Sequence, residues 1–371
     1  MQKQEMNILE MIKANPFITE IEIAEQTGYP LLEVSEIISL LIQTRQIVGR
    51  SFVLPEEKSI LCIGGANVDR KIQTLKHLEY GTSNPAISTK TRGGVARNIA
   101  ENSGRIGLKT TLLACVGADS EGEWLLKNTK EFVDIAPTEL VKGKSTGTYT
   151  AVLDEDGEMA IALADMEIYN EVDDRFFGKN RSYIENAKMI LLDTNFPATV
   201  ISQVINHCKI CGIPICIATV SAPKTAKLPE SLEGVTWLIA NHKEAEALAK
   251  LEIASEGDFY RAAEVILNKG AEKVVITRGE KGLIYFTKDG EAGAIIPPCV
   301  PVVDVTGAGD SLIAGILFGY LKGLSTEDAC KIGVTCSLIT LQTSDTVSPE
   351  LNQQTLQENF QKYFSKGVSQ R

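Results

Sequence analysis

The sequence predicts a doubly wound α/β protein, a mostly parallel sheet between helices, with a small β lid and a short helical unit ahead of it. Three observations lead there. From residue 59 onward, short apolar runs bounded by turn residues alternate with amphipathic helical runs, the pattern of a parallel sheet with crossover helices. Two stretches, 67–92 and 147–164, break that alternation with period-two or turn-rich sequence and are expected to form an antiparallel flap. The first 54 residues read instead as three short helices and a hairpin.

In chain order, Met6 to Ala14 repeats apolar residues at helical spacing and stops before Pro16. Thr19 caps a second helix ending near Gly28, and Leu31 to Thr44 is a third, with Leu31, Val34, Ile37, Ile38, Leu41 and Ile42 along one stripe. A hairpin is expected over 47–53. Helices and hairpin together are similar to a winged helix-turn-helix over residues 1–54, followed by a polar linker at 55–59. The large domain, 60–365, opens on the strand Ser59 to Ile63. It continues with strands at 110–116, 188–193, 213–219, 235–240 and 272–277, and with helices at 121–130, 198–210, 242–250, 257–269, 310–322 and 326–341. A last helix follows Pro349.

Composition narrows the chemistry. The 371 residues are 44% hydrophobic and 23% charged, with net charge −11, which argues against bulk affinity for nucleic acid or anionic membrane. No apolar run is long enough to span a bilayer and no signal peptide opens the chain, so a cytoplasmic location is expected. Eight cysteines lie mostly in apolar segments and read as buried thiols; Cys208-Lys-Ile-Cys211 has metal-pair spacing but sits on a helix without a second pair, and reads as structural. Only three histidines are present, which leaves histidine-based hydrolysis poorly supported. Residues 1–55 carry Lys3, Lys13, Arg45 and Arg50 against seven glutamates, a net −3, with Glu33 and Glu36 on the third helix. That balance disfavours DNA binding and favours a docking or oligomerisation module.

The chemistry-bearing residues fall into five motifs. Asp304-Val-Thr-Gly-Ala-Gly-Asp310 leads into an apolar helix: small residues let backbone N–H groups converge where the helix dipole favours a phosphate, with a carboxylate beside them. Alone, such a run is equally an N-cap with a glycine turn. Gly64-Gly-Ala-Asn-Val-Asp69 follows the first strand, and Gly93-Gly-Val-Ala-Arg-Asn98 opens a helix. Asn241-His-Lys-Glu244 places two polar side chains on one helical face, and Thr277-Arg-Gly-Glu-Lys-Gly282 ends a strand in a turn. Asp193-Thr-Asn195, at another strand end, is compatible with sugar contact or with turn chemistry. No Gly-x-x-x-x-Gly-Lys-[Ser/Thr] run occurs, which disfavours a P-loop kinase.

In this order, across residues 60 to about 365, the five motifs resemble the ribokinase-like (phosphofructokinase B, PfkB) carbohydrate and nucleoside kinases. The resemblance implies a ribokinase-like fold and an ATP- and Mg2+-dependent transferase. It implies Asp310 as general base and the amides of Gly307, Ala308 and Gly309 as anion hole. Asn67, Asp69, Gly93, Gly94, Asn98 and Asn195 would bind the substrate, and Asn241, Thr277, Gly279, Gly282 and Thr306 the nucleotide. Glu244 with Asn241 would stand near the metal, and a monovalent cation such as K+ near Thr306. Within the family the sequence is most similar to bacterial pseudouridine kinases, some of whose relatives carry a helix-turn-helix extension. Val95 stands where ribokinases carry a lysine, which points away from free ribose. Pseudouridine 5′-phosphorylation by a homodimer is therefore expected. The alternatives are a ribose or hexose kinase, or a transcriptional regulator sensing a nucleoside or sugar.

Overall fold

The computed structural model describes residues 3–16, 18–48, 58–173 and 175–364. The chain divides into two compact units, Met1–Lys58 and Ser59–Arg371.

The first unit holds helices α1 (Lys3–Ala14), α2 (Glu20–Thr27) and α3 (Leu31–Gln43). Thr19 and Glu22 form a reciprocal capping box at the start of α2, and Gly28 closes it in the left-handed conformation. Ile8, Ile12, Ile23, Val34, Ile38 and Leu41 make its core. The apolar character of α3 exceeds what that small core takes up, and Leu31, Leu32 and Leu40 remain exposed. The hairpin expected at 47–53 falls, from Gly49 on, outside the described residues.

The second unit runs β1 (Ile60–Ile63), β2 (Asn67–Thr74), β3 (Ala86–Gly93), α4 (Val95–Arg105), β4 (Thr110–Leu113), β5 (Cys115–Gly117), α5 (Ser120–Thr129), β6 (Glu139–Val141), β7 (Thr148–Leu153) and β8 (Met159–Asp165). It continues α6 (Arg175–Glu185), β9 (Met189–Asp193), α7 (Ala198–Cys211), β10 (Ile215–Ala218), β11 (Trp237–Asn241), α8 (His242–Ala249) and α9 (Glu256–Asn268). It closes with β12 (Lys273–Thr277), β13 (Leu283–Thr287), β14 (Ala292–Ile295), α10 (Ala308–Leu321), α11 (Thr326–Thr340) and α12 (Gln353–Phe364). The main sheet has the order β14-β13-β12-β11-β10-β9-β1-β4, parallel from β4 to β12 and antiparallel at the β13 and β14 edge. Its strands are apolar on both faces because both are covered: one core layer lies against α6 to α9, the other against α4, α10 and α11.

A second sheet, β3-β2-β7-β8, is the flap. It is antiparallel within its β2–β3 and β7–β8 pairs but, contrary to expectation, parallel where β2 meets β7, because the two hairpins join side by side. Its outer strand β8 is exposed at every position. The single strand expected at 110–116 is in fact two. Its apolar run is continuous, but the chain leaves the main sheet at Ala114 and β5 pairs with β6 in a small separate sheet. Two of the eight cysteines, Cys211 and Cys299, are exposed rather than buried, because each falls at the end of its apolar segment. No helix among the described residues is long and apolar enough to cross a membrane.

Candidate active site

Parallel strands of an α/β sheet deliver their chemistry at their carboxyl ends, and three of the motifs arrive there together with the Asp193 run. The turn after β1 contains Gly64 and Gly65, β9 ends in Asp193, β11 in Asn241 and β12 in Thr277. Asp193 is the hub of the cleft floor. Its fully buried carboxylate accepts N–H bonds from Gly65 (2.8 Å), Ala96 (3.0 Å) and Asn195 (2.8 Å), tying the β1 turn to the start of α4. Burial nevertheless raises its pKa, against the pull of those donors. The Tyr169 hydroxyl completes the floor, accepting from the Ala66 N–H at 2.9 Å and donating to the Ala66 carbonyl at 3.0 Å.

On that floor α4 and α10 meet. Asn98, in the first turn of α4, donates its Nδ2 to Asp310 Oδ2 at 2.7 Å. Asp310 lies in the first turn of α10, where backbone amides have no intrahelical acceptor. Its carboxyl borders the cleft but is hemmed in by protein, and this desolvation pushes its pKa up to about 7, opposed by the Asn98 bond and by Arg97. Gly307 caps α10 in the left-handed conformation, and a Cβ there would collide with the Thr346 carbonyl. Of the three expected anion-hole amides, that of Ala308 points at the Val305 carbonyl at 3.4 Å, while a Cβ added at Gly309 would meet open space.

Asp69, on β2, is the second carboxyl of the cleft. Asn67 donates to it at 2.6 Å, and burial lifts its pKa to about 6. Gly93 lies on β3 opposite Asn67, and any side chain there would occupy the space of the Asp69 carboxylate. Gly94, with φ of 96°, lets α4 start against the Gly65 carbonyl. Beyond Asp69 opens a cavity of about 650 Å3, with Lys71, Tyr149, Ala151 and Met159 on the flap side and Asp304 and Thr306 opposite. Lys71 and Asp304 form an ion pair across it.

The remaining expected residues take more structural positions. Asn241 and Glu244 form a reciprocal capping box at the start of α8. The buried Glu244 accepts from Thr219 Oγ1 at 2.6 Å and from the Asn241 N–H at 2.8 Å through one oxygen, Oε2, and burial raises its pKa. Thr277, Gly279 and Gly282 sit in the turn from β12 to β13, closed by an Arg278 N–H to Gly282 carbonyl bond of 2.7 Å. Thr306 donates its N–H and Oγ1 to Asp304 at 2.8 and 2.7 Å. Asn195 is not presented to the cleft: it is buried, its Nδ2 bonded to Asp193 and its Oδ1 to Lys224 Nζ, so it belongs to the floor.

Sequence reasoning missed the charge beneath the two acids. Arg97 is fully buried, bonded to the Gly93 and Arg92 carbonyls, to Asn98 Oδ1 and to the buried Glu101. By holding Asn98 Oδ1 it turns the amide so that Nδ2 faces Asp310. A basic and an acidic residue at i,i+4 in a helix whose other turns carry alanine and isoleucine was the available signal.

Comparison with known proteins identifies the family. Residues 57–353 match the model of the pfkB family carbohydrate kinases. A pseudouridine kinase of Escherichia coli is 31% identical over 298 residues, covering 80% of this chain and 95% of that one. A guanosine-inosine kinase of Exiguobacterium acetylicum is 25% identical, with coverage of 79% and 97%. A carbohydrate kinase structure from Agrobacterium tumefaciens superposes with a TM-score of 0.70 at 28% identity, covering 82% of this chain and 97% of that one. Arabidopsis thaliana ribokinase, complexed with ribose and ATP, superposes at 0.74 with 18% identity and coverage of 82% and 98%, a likeness of fold. The chain belongs to the pfkB family of carbohydrate kinases: it has the ribokinase-like fold and is a sugar or nucleoside kinase, a phosphotransferase with an alcohol group as acceptor.

Proposed function

We propose that the protein transfers the γ-phosphoryl group of ATP to the 5′-hydroxyl of a nucleoside, pseudouridine, giving pseudouridine 5′-phosphate and ADP. The observation that carries this reading is the Asn98–Asp310 pair at the N-terminus of α10. In it a carboxylate with pKa near neutrality stands beside backbone amides that have no helical acceptor.

Asp310, ionised, accepts the hydroxyl proton as the acceptor oxygen attacks the γ-phosphorus. The new O–P bond forms as the bond to the bridging β,γ-oxygen breaks, and ADP leaves with that electron pair. Asn98 keeps the receiving oxygen of Asp310 in place. The amides of Gly309 and its neighbours meet the charge on the transferring group. Asp69 and Asn67 hold the ribose hydroxyls, with Gly93 and Gly94 packed beneath, while Thr277, Gly279, Gly282 and Thr306 border the nucleotide.

Glu244 and Asn241 offer hard oxygen ligands, which suits a magnesium ion reached through water. Bound there, the ion supplies neutralisation of phosphate charge. Tyr149, Ala151 and Met159 offer the cavity an apolar ceiling fit to face a flat base. Val95 at the sugar end, in place of a cation, and the similarity to a pseudouridine kinase favour a nucleoside over free ribose. Ile161 and Leu163 on the exposed strand β8 supply apolar surface for the pairing of two copies. The regulator reading finds less support, since α3 contains no lysine or arginine.

Turnover of ATP with pseudouridine, uridine, inosine, ribose and fructose tests the assignment. The reading predicts a kcat/KM for pseudouridine at least about tenfold above every other acceptor, roughly 1.4 kcal/mol of discrimination. Preference for ribose or fructose would overturn the choice of substrate.

A further inference from the structure

We infer that the protein carries a second metal site, for a soft divalent cation of the zinc class, formed by His207 and Cys211 on α7 and Glu185 at the end of α6. The three ligand atoms lie within 4.8 Å of one another. His207 Nε2 is 3.4 Å from Cys211 Sγ and 3.3 Å from Glu185 Oε1. A tetrahedral zinc ion, with bonds of about 2.0–2.1 Å to nitrogen or oxygen and about 2.3 Å to sulfur, holds such ligands about 3.4–3.6 Å apart. His207 therefore already stands near ligand spacing from both partners, with Cys211 and Glu185 within 4.8 Å of each other.

The local chemistry explains how they arrive there. His207 and Cys211 are four residues apart on one face of α7, and Glu185 closes the parallel helix end beside them. The His207 ring is mostly buried and held edge-on against Phe177 at 4.9 Å, so its Nε2 has a fixed direction. That one nitrogen faces both the thiol and the carboxylate, and a single imidazole proton serves only one of them; a cation serves all three. Arg181 Nε, 2.7 Å from the same Oε1, is the resident partner of the carboxylate, so a bound cation would share Glu185 with Arg181. Water supplies the fourth position.

The site is separate from the phosphoryl-transfer cleft. The cleft lies at the carboxyl ends of the strands, whereas α6 and α7 end where they turn into the amino ends of β9 and β10. The five residues of β9 put about 16 Å between the two levels of the sheet. An ion there would pin two helices that lead into adjacent strands. The Cys208 to Cys211 spacing in the sequence belongs to this site through Cys211 alone, since Cys208 is buried in the core.

Titration of the full-length, reduced protein with Co2+ in excess Mg2+ tests the proposal through the thiolate-to-cobalt charge-transfer band. A band saturating at about one equivalent is expected, displaced by Zn2+, absent in Cys211→Ser and Cys211→Ala, and kept in Cys299→Ser, the other exposed thiol. His207→Ala should weaken binding by at least about tenfold. Unchanged metal-free melting of the cysteine variants separates loss of a ligand from loss of the fold. No band in the wild-type protein, or one that survives Cys211→Ser, overturns the site.

Discussion

The floor of the cleft and the flap above it are built on opposite terms. On the floor, Asp193 collects three backbone amides, Asn98 fixes Asp310, and Gly94 and Gly307 sit where any side chain would strike a carbonyl. These polar groups are held in place by several partners each or by a neighbouring backbone. The flap is mostly exposed, holds to the α10 loop through the Lys71–Asp304 pair, and offers apolar surface rather than fixed polar geometry. The contrast teaches where the reaction and its selectivity reside: transfer depends on the rigid floor, acceptor choice on the adaptable ceiling.

Four substitutions break or sharpen that contrast. Asp310→Asn should lower kcat by about 10²–10⁴-fold, the usual cost of losing a positioned base, measured by ATP turnover. The same variant should melt at a higher temperature than wild type at pH 8. Folding raises the Asp310 pKa from 3.8 to about 7, so the stability its protonated form contributes is complete below about pH 4 and lost as pH rises through 7. Asparagine, never ionised, escapes that loss. A lower melting temperature would show that the carboxylate is not desolvated.

Gly307→Ala should reduce activity by at least about 10²-fold, since a shift of the first turn of α10 misplaces amides and base together. Asp193→Ala, leaving three buried N–H groups without an acceptor, should cost about 3 kcal/mol in denaturant unfolding. Lys71→Ala tests the flap and should have the smallest effect. The pair is partly exposed, worth about 0–1 kcal/mol, so KM for the acceptor should rise by no more than about fivefold with kcat nearly unchanged. A larger kcat loss for Lys71→Ala than for Gly307→Ala would reverse the comparison.

The glycines and the base on the floor were legible in the sequence because their constraints are local. Glycine at 94 and 307 marks backbone that admits no side chain, and Asp310 follows within the same turn. The alternation of strand and helix was legible for the same reason. Part of what escaped depends on residues far apart in the chain. Asp193 reads as strand-end turn chemistry until Gly65 and Ala96 are seen folded onto it, and Asn195 reads as a ligand until Lys224 is found on its other side. The break at Ala114 escaped because burial on both sides of it leaves the run uniformly apolar. Arg97 escaped because its partners, Glu101 apart, are backbone carbonyls and the neighbouring Asn98 side chain, which composition does not reveal.

The central claim is that Asp310 takes the acceptor proton. The pH dependence of kcat/KM for pseudouridine, measured from pH 5.5 to 8.5 in wild type and Asp310→Asn, tests it most directly. The account predicts a rising limb with an apparent pKa near 7 in the wild type and its loss, together with most of the rate, in the variant. A variant that keeps most of the transfer, or the same rising limb, would contradict it.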